Sequence, residues 1–181
     1  MIYIGIDIGN KGAIVFLNNN GEPYRHTGTK NGMDFHIFFD SFISEQKDKV
    51  FLCIEESITM GRDGHTNSWN NGFRYGENIM SLNILRQKYS NFDYMTIHPA
   101  KWKSEYKLTK DKTLSGNLCK DLWGDDIAKM FTGKNGAFLD GIAEAMLIGW
   151  YGKNVVDKRL SIVTGKQIGR ASCRERVSSP V

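Results

Sequence analysis

The sequence predicts an α/β layer fold, on three observations. The chain opens on two short apolar strands joined by a glycine-bracketed turn. A continuous apolar run of the buried-strand type recurs at 50–55 (V-F-L-C-I-E). Segments with helical apolar spacing alternate with the strand-like ones, as layered α/β folds require.

In chain order, Ile2, Ile4 and Ile6 alternate with Tyr3, Gly5 and Asp7, the period of a strand. Gly9 and Gly12 bracket Asn10 and Lys11 as a hairpin turn, and A-I-V-F-L returns as the second strand. Residues 18–32 are polar and Gly-rich, with a third strand expected near 24–27. Over 33–47, Phe35, Phe38, Phe39, Phe42 and Ile43 fall on one helical face. Residues 57–72 are rich in Gly, Asn and Ser and read as a loop. A helix over 73–90, a strand over 94–97, a helix over 109–123, a loop over 133–138 and an apolar helix over 139–152 complete the reading.

A chain of 181 residues is expected to form one domain with a substantial core. Its apolar runs are too short to span a membrane, and no signal-peptide pattern opens it. Three widely spaced cysteines, Cys53, Cys119 and Cys173, argue against a disulfide framework or a zinc site and suit a reducing cytoplasm. The net charge of +4 misleads. Residues 158–181 carry six cations against Glu175, so the body of the chain is slightly acidic and any nucleic-acid surface must be a local patch. This tail lacks periodicity. Its I-G-R-A-S-C-R-E-R-V reads as out-of-frame vector sequence, the alternatives being a disordered extension or a basic DNA-binding arm. The expected organisation is therefore a domain over 1–157 and a non-native or disordered basic tail over 158–181.

The chemistry lies in the acids. Asp7 is a lone charge on an apolar strand, costly to bury unless paired or metal-bound; the plainer alternative is a turn-capping Asp. Glu55 and Glu56 end the 50–55 run, and Glu55, directly after the buried stretch, is the better inward candidate. Asp140 and Glu144, four apart, share one helical face, which is also what an ordinary acidic first turn looks like. Two strand acids with a helical pair are what a two-cation carboxylate site needs, and oxygen donors suit Mg²⁺ or Mn²⁺.

These residues resemble a family. G-I-D-I-G-N-K-G-A-I, C-I-E-E-S, F-R-Y-G, H-P-A-K-W-K, T-K-D-K-T-L-S and D-G-I-A-E-A-M-L-I-G-W-Y-G, in that order over about residues 1–152, resemble the RuvC Holliday-junction resolvases in their phage-type branch. The resemblance implies a ribonuclease-H-like mixed five-stranded sheet flanked by helices. It implies a homodimer that nicks branched DNA, four-way junctions foremost, in the cytoplasm of a bacterial or phage-infected cell. It makes Asp7, Glu55, Asp140 and Glu144 ligands of two Mg²⁺ ions, with Mn²⁺ as substitute, and makes Lys112 a further catalytic residue.

The expected DNA surface is Lys101, Lys103, Lys107, Lys110 and Lys112, with Trp102 and Tyr106 interleaved as stacking rings. A solvated loop with two anchoring aromatics is the alternative. Arg62, Trp69 and Arg74 are added from the 61–72 loop and its flank, as a segment entering a junction. His65 reads as a surface residue. Two other functions compete: a sugar-kinase or actin-like ATP-binding protein, which shares the opening Gly-Ile-Asp-x-Gly hairpin, and a non-catalytic junction- or RNA-binding module of the same fold. The first needs a second phosphate loop, and the sequence has none.

Overall fold

The computed structural model describes residues 1–9, 11–57 and 65–175; of residues 65, 67 and 162–175 it describes the backbone alone. Five strands form one mixed sheet: β1 (Ile2–Ile6), β2 (Ala13–Leu17), β3 (Pro23–Gly28), β4 (Val50–Glu55) and β5 (Phe92–Ile97), in the order β3-β2-β1-β4-β5. The first three strands meander antiparallel, while β1, β4 and β5 run parallel. The helices are α1 (Gly32–Ser44), α2 (His65–Lys88), α3 (Pro99–Glu105), α4 (Thr113–Trp123) and α5 (Asp140–Glu175), with a 3₁₀ helix at Asp125–Phe131.

Strand alternation divides the core in two. Ile4, Ile6, Ile14, Phe16, Leu52 and Ile54 face one side, where α1 and α2 cover them through Phe35, Phe39, Ile43, Leu82 and Leu85. Tyr3, Val15, Leu17, Phe51 and Cys53 face the other, against α5 and the buried Trp102, Cys119 and Phe131. Side chains two apart on a strand share a face. Asp7 therefore belongs with Tyr3 and Gly5 on the α5 side, and Glu55 with Phe51 and Cys53.

Helix α5 lies in backbone contact with the sheet. A Cβ on Gly5 would meet the carbonyl oxygen of Ala145 at 1.9 Å and the amide nitrogen of Gly149 at 2.4 Å. A Cβ on Gly149 would meet Leu17 at 2.4 Å, and one on Gly152 would meet Cys53 at 2.8 Å. A glycine inside a helix costs about 1 kcal/mol relative to alanine. Burying Ala143, Ala145, Met146, Leu147 and Ile148 in the core offsets that cost.

Several boundaries differ from the sequence reading. Helix α2 begins at His65, so the second half of the expected 57–72 loop is helical; residues 58–64 lie outside the described residues. The segment H-T-N-S-W-N-N-G hides this because its Asn and Gly residues disfavour helix and only Trp69 and Phe73 mark a face. Helix α3 was not expected; Pro99 sits in its first turn, and the His98 ring caps it by accepting from the Ala100 amide at 3.2 Å. Helix α4 starts at Thr113 rather than 109, and the backbone of α5 stays helical well into the tail segment. No described helix is long and apolar enough to cross a membrane.

The glycine contact yields a direct test. Gly5→Ala should push α5 off the sheet and destabilise the fold by about 3 kcal/mol, the upper end of overpacking costs. Urea unfolding measures this. A variant within about 0.5 kcal/mol of the parent, the scale of an ordinary surface substitution, would contradict the packing.

Candidate active site

The site sits at the carboxyl ends of the three parallel strands, where open α/β sheets commonly bind ligands. Asp7 follows β1, Glu55 ends β4, and His98 and Pro99 follow β5. Together with Glu56, Glu144, Lys103 and Lys112 they line a cleft of about 550 Å³. Ile6 pairs with Ile54 in the parallel ladder, and the next residues along each strand are Asp7 and Glu55. Helix α5 supplies Glu144 one turn beyond Asp140.

Asp7 Oδ1 accepts from the Gly9 amide at 3.0 Å, and the Asp7 amide donates to the Ala13 carbonyl at 3.0 Å, so the hairpin turn fixes its orientation. Burial, and then the Glu144 and Asp140 charges, push its carboxyl up to about 6, against the Gly9 bond and the Lys103 ammonium. Burial likewise pushes Glu55 up to about 8; Lys103 opposes this, while Asp7 and Glu144 add to it. Glu56 points to a different neighbour and accepts from the Thr96 hydroxyl at 3.0 Å.

The other two acids are held by lysines. Lys103 Nζ donates to both oxygens of Glu144, at 3.2 and 3.1 Å, and sits 5.0 Å from the centre of the Trp102 ring. Lys112 Nζ donates to Asp140 Oδ2. Burial opposes ionisation of Asp140, but the Lys112 ammonium outweighs it and holds the carboxyl below its ordinary value. The same bond raises Lys112.

The all-oxygen donor set suits a hard divalent cation in kind. Asp7 and Glu55 are two half-buried carboxylates short of compensating charge, which is what a bound cation would supply. Among the described residues, however, no three or more such side chains already stand grouped closely enough to hold a metal ion. Two of the four acids are turned to Lys103 and Lys112 instead.

The structure corrects part of the expected DNA surface. Trp102 is fully buried and Tyr106 packs edge-on against Trp102 and Tyr151, so neither ring is free to stack on a base. They are the anchoring aromatics of the plainer alternative, and Trp102 backs the Lys103 ammonium. Arg74 and Lys110 line the cleft; Lys101 and Lys107 are exposed beside it. Trp69 is 73% exposed in the first turns of α2, and Arg62 lies outside the described residues. Glu56, which the sequence reading sets below Glu55, also lines the cleft, as do Asn71, His98 and Thr109, which no acidic or basic pattern marks.

No protein-family profile matches the chain, and no curated protein does. Solved structures do. The Thermus thermophilus RuvC structure matches with a TM-score of 0.56 at 12% identity, over 89% of this chain and 97% of that one. The T. thermophilus RuvC in complex with a Holliday junction substrate matches with a TM-score of 0.53 at 11% identity, over 82% of this chain and 90% of that one. At this identity the likeness is one of fold: the mixed five-stranded sheet flanked by helices is ribonuclease-H-like.

The raised carboxyls of Asp7 and Glu55 set a pH dependence. Between about pH 5 and pH 8 the native protein binds more protons at these two sites than the unfolded chain, so its stability falls as pH rises. Asp40 and Asp140, held low, stay ionised across that window and add no slope. Thermal melts in EDTA should therefore give a higher midpoint near pH 5.5 than near pH 8, and the Asp7→Asn/Glu55→Gln double variant should lose most of the difference. A parent midpoint that climbs with pH would contradict the burial of this pair.

Proposed function

We propose that the chain is a divalent-metal-dependent endonuclease that nicks branched DNA, four-way junctions foremost, and that it belongs to the phage-type branch of the RuvC resolvases. One observation carries the reading. Three carboxylates from separate elements, Asp7, Glu55 and Glu144, line a single cleft with Arg74, Lys103, Lys110 and Lys112, at the parallel-strand ends of a RuvC-like fold. A nuclease needs this mixture, acids to hold cations and bases to hold phosphates.

In this reading Asp7, Glu55, Glu144 and Asp140 hold two Mg²⁺ ions, or Mn²⁺ in their place, which when bound supply Lewis-acid activation of a phosphodiester. The chain's own groups do the rest. Arg74, Lys110 and Lys112 bind backbone phosphates at the cleft, and Lys101 and Lys107 extend the basic surface. The Asp7 carboxylate is oriented by its turn, and Lys103 is steadied by the Trp102 ring. Trp69, exposed in the first turns of α2, contacts the junction, and Arg62, outside the described residues, is assigned to the same role. The protein works in the cytoplasm of a bacterial or phage-infected cell. Residues 158–181 are not needed for it.

The homodimer expected of such an enzyme is supported by a second surface. Helices α1 and α2 pack side by side, with Gly32 beside Glu77 and Lys88 bonded to Asp40 at 2.7 Å. Their outer side exposes Met33 and Ile37 from α1 and Phe73, Met80 and Ile84 from α2. Single exposed apolar residues are ordinary, but a stripe across two neighbouring helices suits an interface. We assign this face to a second copy of the chain.

Two outcomes follow. Glu144→Gln should cut nicking of a synthetic four-way junction by more than about 100-fold in either metal, exceeding the usual cost of losing an outer-sphere partner. Asp7→Asn should do the same while leaving junction binding intact, and Asp140→Asn should recover in part with Mn²⁺. Full activity of Glu144→Gln in Mg²⁺ would sink the metal-ligand reading. Separately, Met80→Asp/Ile84→Asp should convert a dimer to a folded monomer by light scattering; an unchanged mass would move the interface elsewhere.

A further inference from the structure

Glu144 in the cleft and Asp140 one turn before it on α5 are already paired with lysines, and the two ion pairs differ in build. Lys103 and Glu144 are both largely covered, at 30% and 18% side-chain exposure, and Lys103 also rests on the Trp102 ring. Asp140 is 19% exposed, but its partner Lys112 is 69% exposed, at the N-terminal end of α4. Lys112 can therefore swing into solvent at little cost, whereas Lys103 is held on two sides.

We infer that Lys103 and Lys112 are displaceable stand-ins for divalent cations, so that metal and DNA backbone each promote the other's binding. The inference rests on the nuclease reading above and deepens it. A carboxylate oxygen engaged by an ammonium offers less to a metal ion, so an ion entering the site competes with the lysine it meets. Each lysine set free keeps its charge and its three donors and stays within the cleft, where a phosphate would lie. Conversely, a phosphate that draws the lysines away leaves Glu144 and Asp140 open to the ion. Coupling of this kind is reciprocal by linkage. Two of the candidate ligands, Glu144 and Asp140, are the ones turned to lysines.

The test needs no cleavage. Mn²⁺ binding to the full chain, without DNA, is followed by the electron paramagnetic resonance signal of the free ion. Lys103→Met and Lys112→Met should each bind Mn²⁺ about tenfold more tightly, the scale of one charge-assisted bond no longer given up. Lys110→Met removes the same charge from the same cleft without an ion pair to either acid, and should change affinity less than about twofold. This control separates displacement from general electrostatics. Lys112→Met, being largely exposed, carries the test if Lys103→Met does not fold. Unchanged or weaker Mn²⁺ binding in the Lys112 variant, with a parent that binds the ion, would overturn the stand-in role and leave the nuclease reading intact. No Mn²⁺ binding by parent or variants would overturn both.

Discussion

The close approach of α5 to the sheet is the constraint on which the site depends. Gly5 on β1 and Gly149 on α5 leave no side chain between the two backbones, and Gly152 does the same over Cys53. At the other end of the contact, a Cβ on Gly141 would lie 2.1 Å from the Lys11 carbonyl oxygen. The helix thus touches the β1–β2 turn beside Asp140 and the sheet itself about a turn beyond Glu144. With a bulkier residue at any of these points the helix would stand off, and its two acids would lose the company of Asp7 and Glu55. The glycines are unfavourable to the helix itself, and the geometry they permit is what offsets that.

The second constraint is charge. Four carboxylates at one end of a sheet cannot be buried without compensation. Their environments diverge accordingly: Asp7 and Glu55 are forced toward their neutral forms, while Glu144 and Asp140 take up ammonium partners. The basic segment between β5 and α4 supplies those partners. What reads in sequence as one lysine-rich patch is divided in space. Lys103 and Lys112 turn to the acids, Lys110 lines the cleft, and Lys101 and Lys107 are left exposed. A cleft with both signs of charge matches the proposed nuclease reading, in which acids hold cations and bases hold phosphates.

Much of this fold was legible in the sequence because its signals are periodic. Strand β1 and the Phe-rich face of α1 follow from side-chain spacing, and β2 and β4 from continuous apolar runs, whereas β3 is written in mostly polar residues. Position in the run favours Glu55 over Glu56; in the structure both line the cleft, and Glu56 accepts a bond from Thr96. The misses have physical reasons. Helix α3 has a single buried residue, Trp102, in seven, so no period exists to detect. The same burial reverses the expected use of Trp102: aromatic rings between lysines look like a stacking surface, and only the tertiary packing shows this one beneath the lysine rather than beside it. The start of α2 is written in helix-disfavouring residues. The ion pairs of Lys103 with Glu144 and Lys112 with Asp140 span 41 and 28 residues, beyond any local pattern.

On the proposed reading, the acids gathered at these strand ends serve a divalent cation, and lysines hold their place until it binds. Anomalous scattering from crystals of the protein grown with Mn²⁺ tests it most directly. The expected result is a manganese peak bounded by Asp7 and Glu144, with the Lys103 ammonium moved off the Glu144 carboxylate. A map with no peak in the cleft and the Lys103–Glu144 pair intact, at a manganese concentration that saturates binding in solution, would contradict it.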